Sequence, residues 1–292
     1  SDQDKRSVTS QVFNVLSITI RYIVILAVAL SLLYGLLNTI PDSRTEERIS
    51  LISWLGNAVE GELTTRNYHY QITFWGNDAD ENSISLGSAF ISSFVNTSLA
   101  VLLIWIVSTL VNSSLVGSSE IMKRAASPVS KTLGLLSNIH VMVMGLILYI
   151  TLNGEINSLG LIIIIGLSSN IYYDVESEQR LYFSDILNKD YVLNARAMGD
   201  SVFKHIVKPV STYSITQILG VWPSVLTNAM FVEIIFQKSG IGSLLFQNIL
   251  GPAISSNLAP EIDVLMYVAS IIILSILAIS YIKECILFKL VK

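Results

Sequence analysis

The feature that most constrains this chain is a set of six long apolar blocks. They cover residues 22–37, 94–116, 133–152, 159–173, 213–236 and 264–287. A helix that rises 1.5 Å per residue needs about 20 such residues to cross the hydrocarbon layer. Strands of a membrane barrel would instead alternate between apolar and polar residues in segments of about ten. The sequence therefore predicts an all-α, polytopic membrane protein with six transmembrane helices.

These blocks divide the chain into four parts. The first block reaches spanning length when its helix begins near Ile18, with Arg21 at the interface. The fourth is short unless its helix continues into the loop that follows. We predict an N-terminal segment at 1–17, the first transmembrane helix at 18–40, an acidic segment at 41–87, and a core at 88–292 with helices two to six. Within this core, a long loop at 174–210 joins helices four and five.

The basic residues lie mainly on one side of the six helices. Of the 18 lysines and arginines, 14 fall on the side of the termini, Lys123 and the 174–210 loop, and the other side receives Arg44, Arg48, Arg66 and Lys238. Because lysine and arginine mark the cytoplasmic side, both termini and this loop are predicted to be cytoplasmic. The 41–87 segment carries eight carboxylates against three arginines, which is too polar for lipid, and is predicted to form a small external cap. The stretch at 237–262 is predicted to be an external loop, partly re-entrant.

Metal and nucleotide chemistry have little support in the sequence. A single cysteine, Cys285, excludes an intrachain disulfide and a cysteine-rich metal site. The three histidines show no metal-ligand spacing, and we interpret His140 as packed in the third helix and His205 as structuring the loop. The chain lacks the Gly-x-x-x-x-Gly-Lys-Ser/Thr phosphate loop. We therefore predict no metal, no bound cofactor and no enzymatic activity.

The 174–210 loop contains a segment that is predicted to be helical up to Gly199, because alanine and leucine favour helix and glycine commonly ends one. The small Ala195, Ala197 and Gly199 would let a partner surface approach the backbone closely. Pro209 is predicted to open the fifth transmembrane helix, where its missing N–H costs little. Glutamates at 176 and 178 are predicted to be exposed.

Two motifs resemble a known family, the permease subunits of dipeptide, oligopeptide and nickel ABC importers. Residues 190–199 match that family's loop pattern Asp/Glu-Tyr-Val-x-x-Ala-Arg-Ala-x-Gly. A second family pattern, Glu-x-x-Phe-x-x-Pro-Gly-Ile/Leu-Gly, is similar to the run from Glu233 to Gly242, with Ser239 in place of the proline. A weaker similarity lies at 54–63. The chain departs from the family in a slightly shorter stretch before His205, and in having Thr227 and Asn228 where the family often has a glycine pair.

The resemblance implies a type I ABC importer permease in a bacterial inner membrane, which forms half of a pathway for peptides or similar small solutes. It implies a second permease subunit, similar or identical, two ATPase subunits that hold ATP and Mg, an extracytoplasmic solute-binding protein, the lipid bilayer as surroundings, and no nucleic acid. The residues that would contact the ATPase are Asp190, Tyr191, Ala195, Arg196, Ala197, Gly199, His205 and Lys208. Those of the pathway or subunit interface would be Thr227, Asn228, Glu233, Phe236, Gly240 and Gly242.

Some alternatives remain open. Glu233 either lines the pathway or an interface, or orients the segment with Gly240 and Gly242. Polar residues within the spans, among them Asn170 and Asn228, join helices or contact solute. A secondary transporter is the alternative function, and it would show inverted halves with interrupted helices, which the sequence does not reveal. An intramembrane enzyme would need a catalytic motif, and His-Glu-x-x-His and Gly-x-Ser-x-Gly are both absent.

Overall fold

The computed structural model describes residues 2–37, 50, 53, 67–69, 83–116, 120–254 and 262–290. Over these residues the chain forms ten helices and two short strands. The first elements are α1 (Asp2–Leu37), β1 (Asn67–His69), β2 (Ser83–Ser85) and α2 (Leu86–Val116). They are followed by α3 (Glu120–Ser137), α4 (Val141–Thr151), α5 (Ser158–Leu167), α6 (Ile171–Leu187), α7 (Asp190–Ala197), α8 (Val202–Ile235), α9 (Ile241–Ile254) and α10 (Ile262–Leu290).

The predicted all-α membrane fold is confirmed in class. Four of the described helices contain an apolar stretch that is long enough to cross a membrane alone, namely 14–36 in α1, all of α2, all of α8, and 264–288 in α10. Two further candidates are bent pairs: α3 and α4 meet at 95°, and α5 and α6 at 60°. The described residues thus contain four spans, or six if each bent pair is counted as one.

The acidic segment at 41–87 is described only in part. Its strands β1 and β2 pair antiparallel, with Tyr68 opposite Ile84. The sequence analysis predicted no strand here. The rest of the segment, including the similarity at 54–63, lies outside the described residues, so the external cap stays a prediction. The predicted division at residue 18 falls inside α1, which is helical from Asp2.

Three loop and helix predictions are wrong. The third apolar block does not form one helix, because the chain turns at residues 138–140 between α3 and α4. Within the 174–210 loop the helix predicted up to Gly199 is present as α7, but Pro209 lies inside α8, which already begins at Val202 after Ser201. The predicted loop at 237–262 contains the 14-residue helix α9. The turn at 138–140 was missed because it lies within an apolar block, whereas the starts of α8 and α9 were missed because local polarity suggested a loop.

The two helix breaks lie against each other. The backbone N–H of Ser169 donates to the carbonyl of Ile139 at 2.9 Å, and that of Asn170 donates to the carbonyl of Ser137 at 2.6 Å. The hydroxyl of Ser169 also accepts from the N–H of Val141 at 3.1 Å. Irregular backbone at membrane depth is tolerated where protein satisfies its polar groups. Each break therefore satisfies the other.

The chain forms two compact units, and the larger comprises residues 89–243. Its central element is α8, which packs against α4, α5, α6 and α7. Buried residues recur along α8 at helical spacing, from Trp222 through Val225, Leu226 and Ala229 to Val232. Helix α8 is continuous through Pro209 and Pro223, and this buried face lies around and after Pro223.

The other unit comprises residues 1–88 and 244–292, and in it α1 packs along α10. The Thr19 and Tyr281 hydroxyls lie 3.0 Å apart, and the ring of Tyr22 contacts that of Tyr281 edge-on at 5.6 Å. Arg21 forms an ion pair with Glu284. Polar contacts thus join the middle of α1 to α10, while the rest of its described surface is largely exposed and apolar.

Candidate functional site

The short helix α7 is attached to the larger unit by its own buried side chains. Val192 and Ala195 are fully or almost fully buried, and α7 packs against both α6 and α8. Close to this contact, the rings of Tyr182 and Tyr213 stack at 3.8 Å, and the Tyr182 hydroxyl donates to the carbonyl of Pro209 at 3.3 Å. Helices α6 and α8 are therefore joined to each other beside α7, and all three are positioned together.

Large apolar side chains are exposed on α7, directly after it and at the start of α8. Met198 is 78% exposed and Phe203 is 70% exposed, and Tyr191 and Leu193 are also exposed. We call these four residues the α7 face. A cluster of this kind beside solvent is typical of a contact surface for another molecule. Basic side chains of Arg196, Lys204 and Lys208 are exposed around it.

The end of α7 has the conformation that the sequence predicted. Gly199 has a φ of 74°, in the left-handed region that favours glycine, and it directly follows Met198, the C-cap residue of α7. Asp200 then accepts from the N–H of Ser201 at 2.7 Å, and its other oxygen lies 3.1 Å from Nε2 of His205. His205 thus structures the turn between α7 and α8, as its interpretation proposed.

The structure separates the predicted loop residues into two groups. Ala195 faces the chain's own helices, so it is unavailable for close approach by a partner, contrary to the prediction. The others are exposed or half-buried, and they are Asp190, Tyr191, Arg196, Ala197, Gly199, His205 and Lys208. Of the α7 face, Tyr191 was predicted from the sequence, whereas Leu193, Met198 and Phe203 were missed, because long exposed apolar side chains cannot be distinguished from core residues by type alone.

A second cluster surrounds Glu233, which is only 2% exposed. Its carboxylate accepts from the hydroxyl of Ser93 at 2.6 Å and from the backbone N–H of Gly242 at 2.9 Å. The same Ser93 hydroxyl accepts from the N–H of Ile241 at 2.9 Å. Free N–H groups at a helix start attract negative charge. Glu233 and Ser93 therefore cap the first turn of α9, and we call these two residues the α9 cap.

Two glycines allow this close approach. A Cβ atom on Gly240 would overlap the carboxylate of Glu233, and one on Gly242 would overlap the backbone of Met230. Phe236 ends α8, is buried, and has its ring 5.6 Å from that of Tyr149. The motif from Glu233 to Gly242 is thus brought together as one packed unit. Ser93 was missed, although its recurrence with Thr97, Ala100 and Ile104 along one face of α2 was a signal.

Asn228 is buried and joins α8 to the end of α5. Its amide donates to the carbonyl of Ile165 at 3.1 Å and lies 3.3 Å from the hydroxyl of Ser168. These contacts satisfy carbonyl and hydroxyl groups beside the second helix break. Thr227, in contrast, is exposed and donates within its own helix to Pro223 at 3.1 Å. The interpretation as a link between helices therefore applies to Asn228 but not to Thr227.

A third polar cluster was not foreseen, and it corrects the prediction for Glu176. This residue is 1% exposed rather than exposed, pairs with Arg180 and accepts from Ser130 at 3.3 Å. Asn112 donates to its backbone carbonyl at 2.9 Å. The cluster joins α2, α3 and α6. Glu176 is buried by partners on three helices, and a single sequence does not reveal which residues will become such partners.

Of the histidines, His140 takes a different position from the one predicted, whereas His205 takes the predicted one. His140 is exposed, and its Nδ1 accepts from the N–H of Met142 at the start of α4, so it is a helix cap rather than a packed side chain. His69 lies outside the described side chains. Among the described residues, no group of three or more histidine, cysteine or acidic side chains is arranged to hold a metal ion.

The long apolar helices and the bent pairs together define a polytopic membrane protein. The family of binding-protein-dependent transport system inner membrane components matches residues 133–283. This is more than half of the 292-residue chain and includes α4 to α9 in full. The chain belongs to this family, and it is a multi-pass inner membrane permease component of an ABC importer. No match was found among curated proteins.

The family match also decides between the two transport classes. A secondary transporter was expected to show inverted halves with interrupted helices, and the structure does have two helix interruptions, in the α3–α4 and α5–α6 pairs. The interruption of helices therefore does not exclude a secondary transporter. The family shows instead that the chain is a component of an importer, which works with a partner permease, an ATPase and a solute-binding protein.

Proposed function

We propose that this chain is one transmembrane half of an ATP-driven importer of peptides or similar small solutes, moved by ATPase subunits that bind the α7 face. What supports the ATPase contact is one observation: α7 is seated on α6 and α8 by Val192 and Ala195, while Met198 and Phe203, which follow α7 in the chain, are exposed. The peptide class rests on the similarity of residues 190–199 and 233–242 to peptide and nickel permeases.

The packing of α7 suggests how the ATPase would move the membrane helices. Only two residues separate α6 from α7, and α7 contacts both α6 and α8. A displacement of α7 would therefore pass to both helices as a nearly rigid body, as in hinge and shear closures. The stacked pair of Tyr182 and Tyr213 would keep α6 and α8 together during that movement.

In this proposal α7 and both termini lie on the cytoplasmic side, which the distribution of basic residues supports. A cysteine at the exposed position Asn194 tests it, in a background where Cys285 is replaced by serine. An impermeant maleimide should label Asn194→Cys in inside-out vesicles and leave it unlabelled in intact cells whose outer membrane is permeabilised. Labelling only from the outer side would overturn the orientation.

For the second cluster, we infer that Glu233 positions α9 rather than touching solute. Burial of its carboxylate against Ser93 and Gly242 supports this role, because both oxygens already accept hydrogen bonds. An intramembrane charge usually marks a functional site, and here the function would be to hold the start of α9 beside α8. Asn228 would in the same way hold the α5–α6 break.

The test of the coupling surface uses three variants reconstituted with the partner permease, the ATPases and the binding protein. Met198→Glu places a charge at the centre of the α7 face and should abolish ATPase copurification and uptake together. Met198→Leu, a conservative control, should keep both. Val192→Ala instead loosens the seat of α7, at about 1 kcal/mol or more for the deleted methyl groups. It should leave copurification intact and reduce uptake per ATP hydrolysed.

Normal copurification and normal uptake by Met198→Glu would show that the ATPase binds elsewhere. Lost copurification with Val192→Ala, together with an unaffected Met198→Glu variant, would place the contact on another side of α7. Substitution of Gly199 is a poorer test, because its positive φ makes any side chain strain the backbone regardless of the partner.

A further inference from the structure

Helix α3 has three distinct faces along its 18 residues. One face is buried on α6, where the Ser130 hydroxyl accepts from Arg180 at 2.9 Å and a Cβ on Gly134 would lie 3.2 Å from the ring of Tyr173. The second face is exposed and apolar. It carries Ile121, Met122, Val129, Leu135 and Leu136, all at least 40% exposed. The third face is exposed and charged.

The apolar and charged faces lie side by side around the helix. At 3.6 residues per turn, the apolar residues fall within a stripe of about 140°, and the charged residues fall within a neighbouring stripe of about 100°. The charged face carries the exposed Glu120, Arg124 and Lys131 and the half-buried Lys123, which pairs with Glu120 at 3.3 Å. A helix with a basic polar face and an apolar face is typical of one that lies in a membrane interface.

The direction of α3 agrees with such a position. It meets α4 at 95°, so α3 lies along the membrane plane if α4 runs across the membrane. If α3 itself crossed the bilayer, the nine residues from Lys123 to Lys131 would carry basic side chains through about 12 Å of its depth. A basic side chain at the centre of a bilayer is strongly disfavoured. The bent pair is then one interfacial helix followed by a shorter membrane-inserted helix.

We propose that α3 is an interfacial helix whose apolar stripe enters the acyl-chain boundary and whose Lys123, Arg124 and Lys131 bind the headgroups of anionic phospholipids. Anionic lipids attract basic segments at the membrane surface, and three cations on one face match such headgroups in charge. Since α3 contacts α6 through Ser130 and Arg180, the lipid contact lies directly beside the polar cluster of Glu176.

The position of the helix is tested by spin labels in nanodiscs, after replacement of Cys285 by serine. In an interfacial helix, labels at Ile121, Val129 and Leu136 should show the same depth, and labels at Lys123 and Lys131 should be accessible to aqueous nickel. In α10, a spanning helix, labels at the exposed Leu274 and Ile282 should instead differ in depth. Depth that changes steadily along α3, whatever the face, would overturn the proposal.

The lipid chemistry is tested by the triple variant Lys123→Gln, Arg124→Gln and Lys131→Gln. In nanodiscs of phosphatidylcholine with phosphatidylglycerol, the wild type should retain spin-labelled phosphatidylglycerol over spin-labelled phosphatidylcholine. The variant should lose this selectivity, by about fivefold for each basic residue removed. A control with Lys189, Lys204 and Lys208 changed to glutamine removes the same charge outside α3 and should keep the selectivity.

Two results would contradict the lipid assignment. Equal loss of selectivity in the control would mean that total charge, rather than α3, attracts the lipid. Unchanged selectivity in the α3 variant, with loss of ATPase copurification from the reconstituted importer, would show that the basic face binds the ATPase subunit instead.

Discussion

The backbone N–H of Ser169 donates to the carbonyl of Ile139 at 2.9 Å, and this bond joins the two helix breaks of the larger unit. Both Ser169 and the next residue, Asn170, have left-handed backbone conformations, with φ of 57° and 64°. Residues other than glycine rarely adopt backbone conformations in this region. The strain is tolerated because the second break donates its N–H groups to carbonyls of the first.

Asn170 provides a direct test of this strain, since its side chain makes no capping hydrogen bond. Asn170→Gly should be neutral or slightly stabilising. Asn170→Val should destabilise the protein by about 1 to 3 kcal/mol, because a β-branched residue is strongly disfavoured at positive φ. Thermal unfolding in detergent measures both. Equal stability of the two variants would show that the backbone at residue 170 is not left-handed.

Asn228 should matter more for stability than its neighbour. Asn228→Leu keeps the side-chain size but leaves the Ile165 carbonyl and the Ser168 hydroxyl without their donor, at a cost of about 1 to 3 kcal/mol. Thr227→Val is the matched control, since Thr227 is exposed, and should change stability by less than about 0.5 kcal/mol. Denaturant titrations compare the pair, and similar values would contradict the described contact.

Gly242 and Gly35 should respond oppositely to alanine. A Cβ on Gly242 would overlap the backbone of Met230, which cannot rotate away, so Gly242→Ala should destabilise by about 1 to 3 kcal/mol or more. Nothing lies within 4 Å of a Cβ on Gly35, which is inside α1, and Gly35→Ala should stabilise by up to about 1 kcal/mol. Melting temperatures that fall for Gly35→Ala and hold for Gly242→Ala would reverse this assignment.

The turn between α7 and α8 should depend on pH. The hydrogen bond from His205, and then that from the backbone of Ser201, hold the pKa of Asp200 below its ordinary value of 3.8. A lowered carboxyl pKa means that its stabilisation is fully present above 3.8 and is lost as the pH falls through the folded-state value. Hydrogen exchange at the Ser201 N–H should therefore be slower in wild type than in Asp200→Ala at neutral pH. The two should converge in acid, and a difference independent of pH would contradict the contact.

The apolar blocks predicted where helices lie better than where they turn. Block length and hydropathy are properties of a stretch, so α1, α2, α8 and α10 were found. The direction of a chain depends on short polar interruptions, such as Ser168 to Asn170, whose backbone groups find partners on another helix. These interruptions read as ordinary polar residues within a span, because their partners lie about 30 residues earlier in the sequence.

For the candidate site residues as well, predictions that depend on local sequence succeeded and those that depend on distant partners failed. Gly199 was predicted correctly because the left-handed end of a helix is a local requirement of one residue. Glu176 and Ala195 were predicted to be accessible, but both are buried. Glu176 is buried against Ser130 and Arg180, and Ala195 is buried where α7 packs on other helices. The α9 cap combined both cases: the motif around Glu233 is local and was found, whereas Ser93 is distant and was missed.

The α9 cap also has a consequence for the synthesis of the chain. Ser93 and Glu233 are 140 residues apart. At about 5 to 20 residues per second, the ribosome completes Glu233 roughly 7 to 28 s after Ser93. During that interval α2 enters the bilayer with Ser93, whose hydrogen-bond acceptor Glu233 has not yet been synthesised. Glu233 is in turn synthesised before Gly242, which donates the second hydrogen bond to its carboxylate. Docking of the α9 start is therefore a late event of membrane insertion, and chains arrested before Gly242 would present an incompletely satisfied carboxylate to membrane quality control.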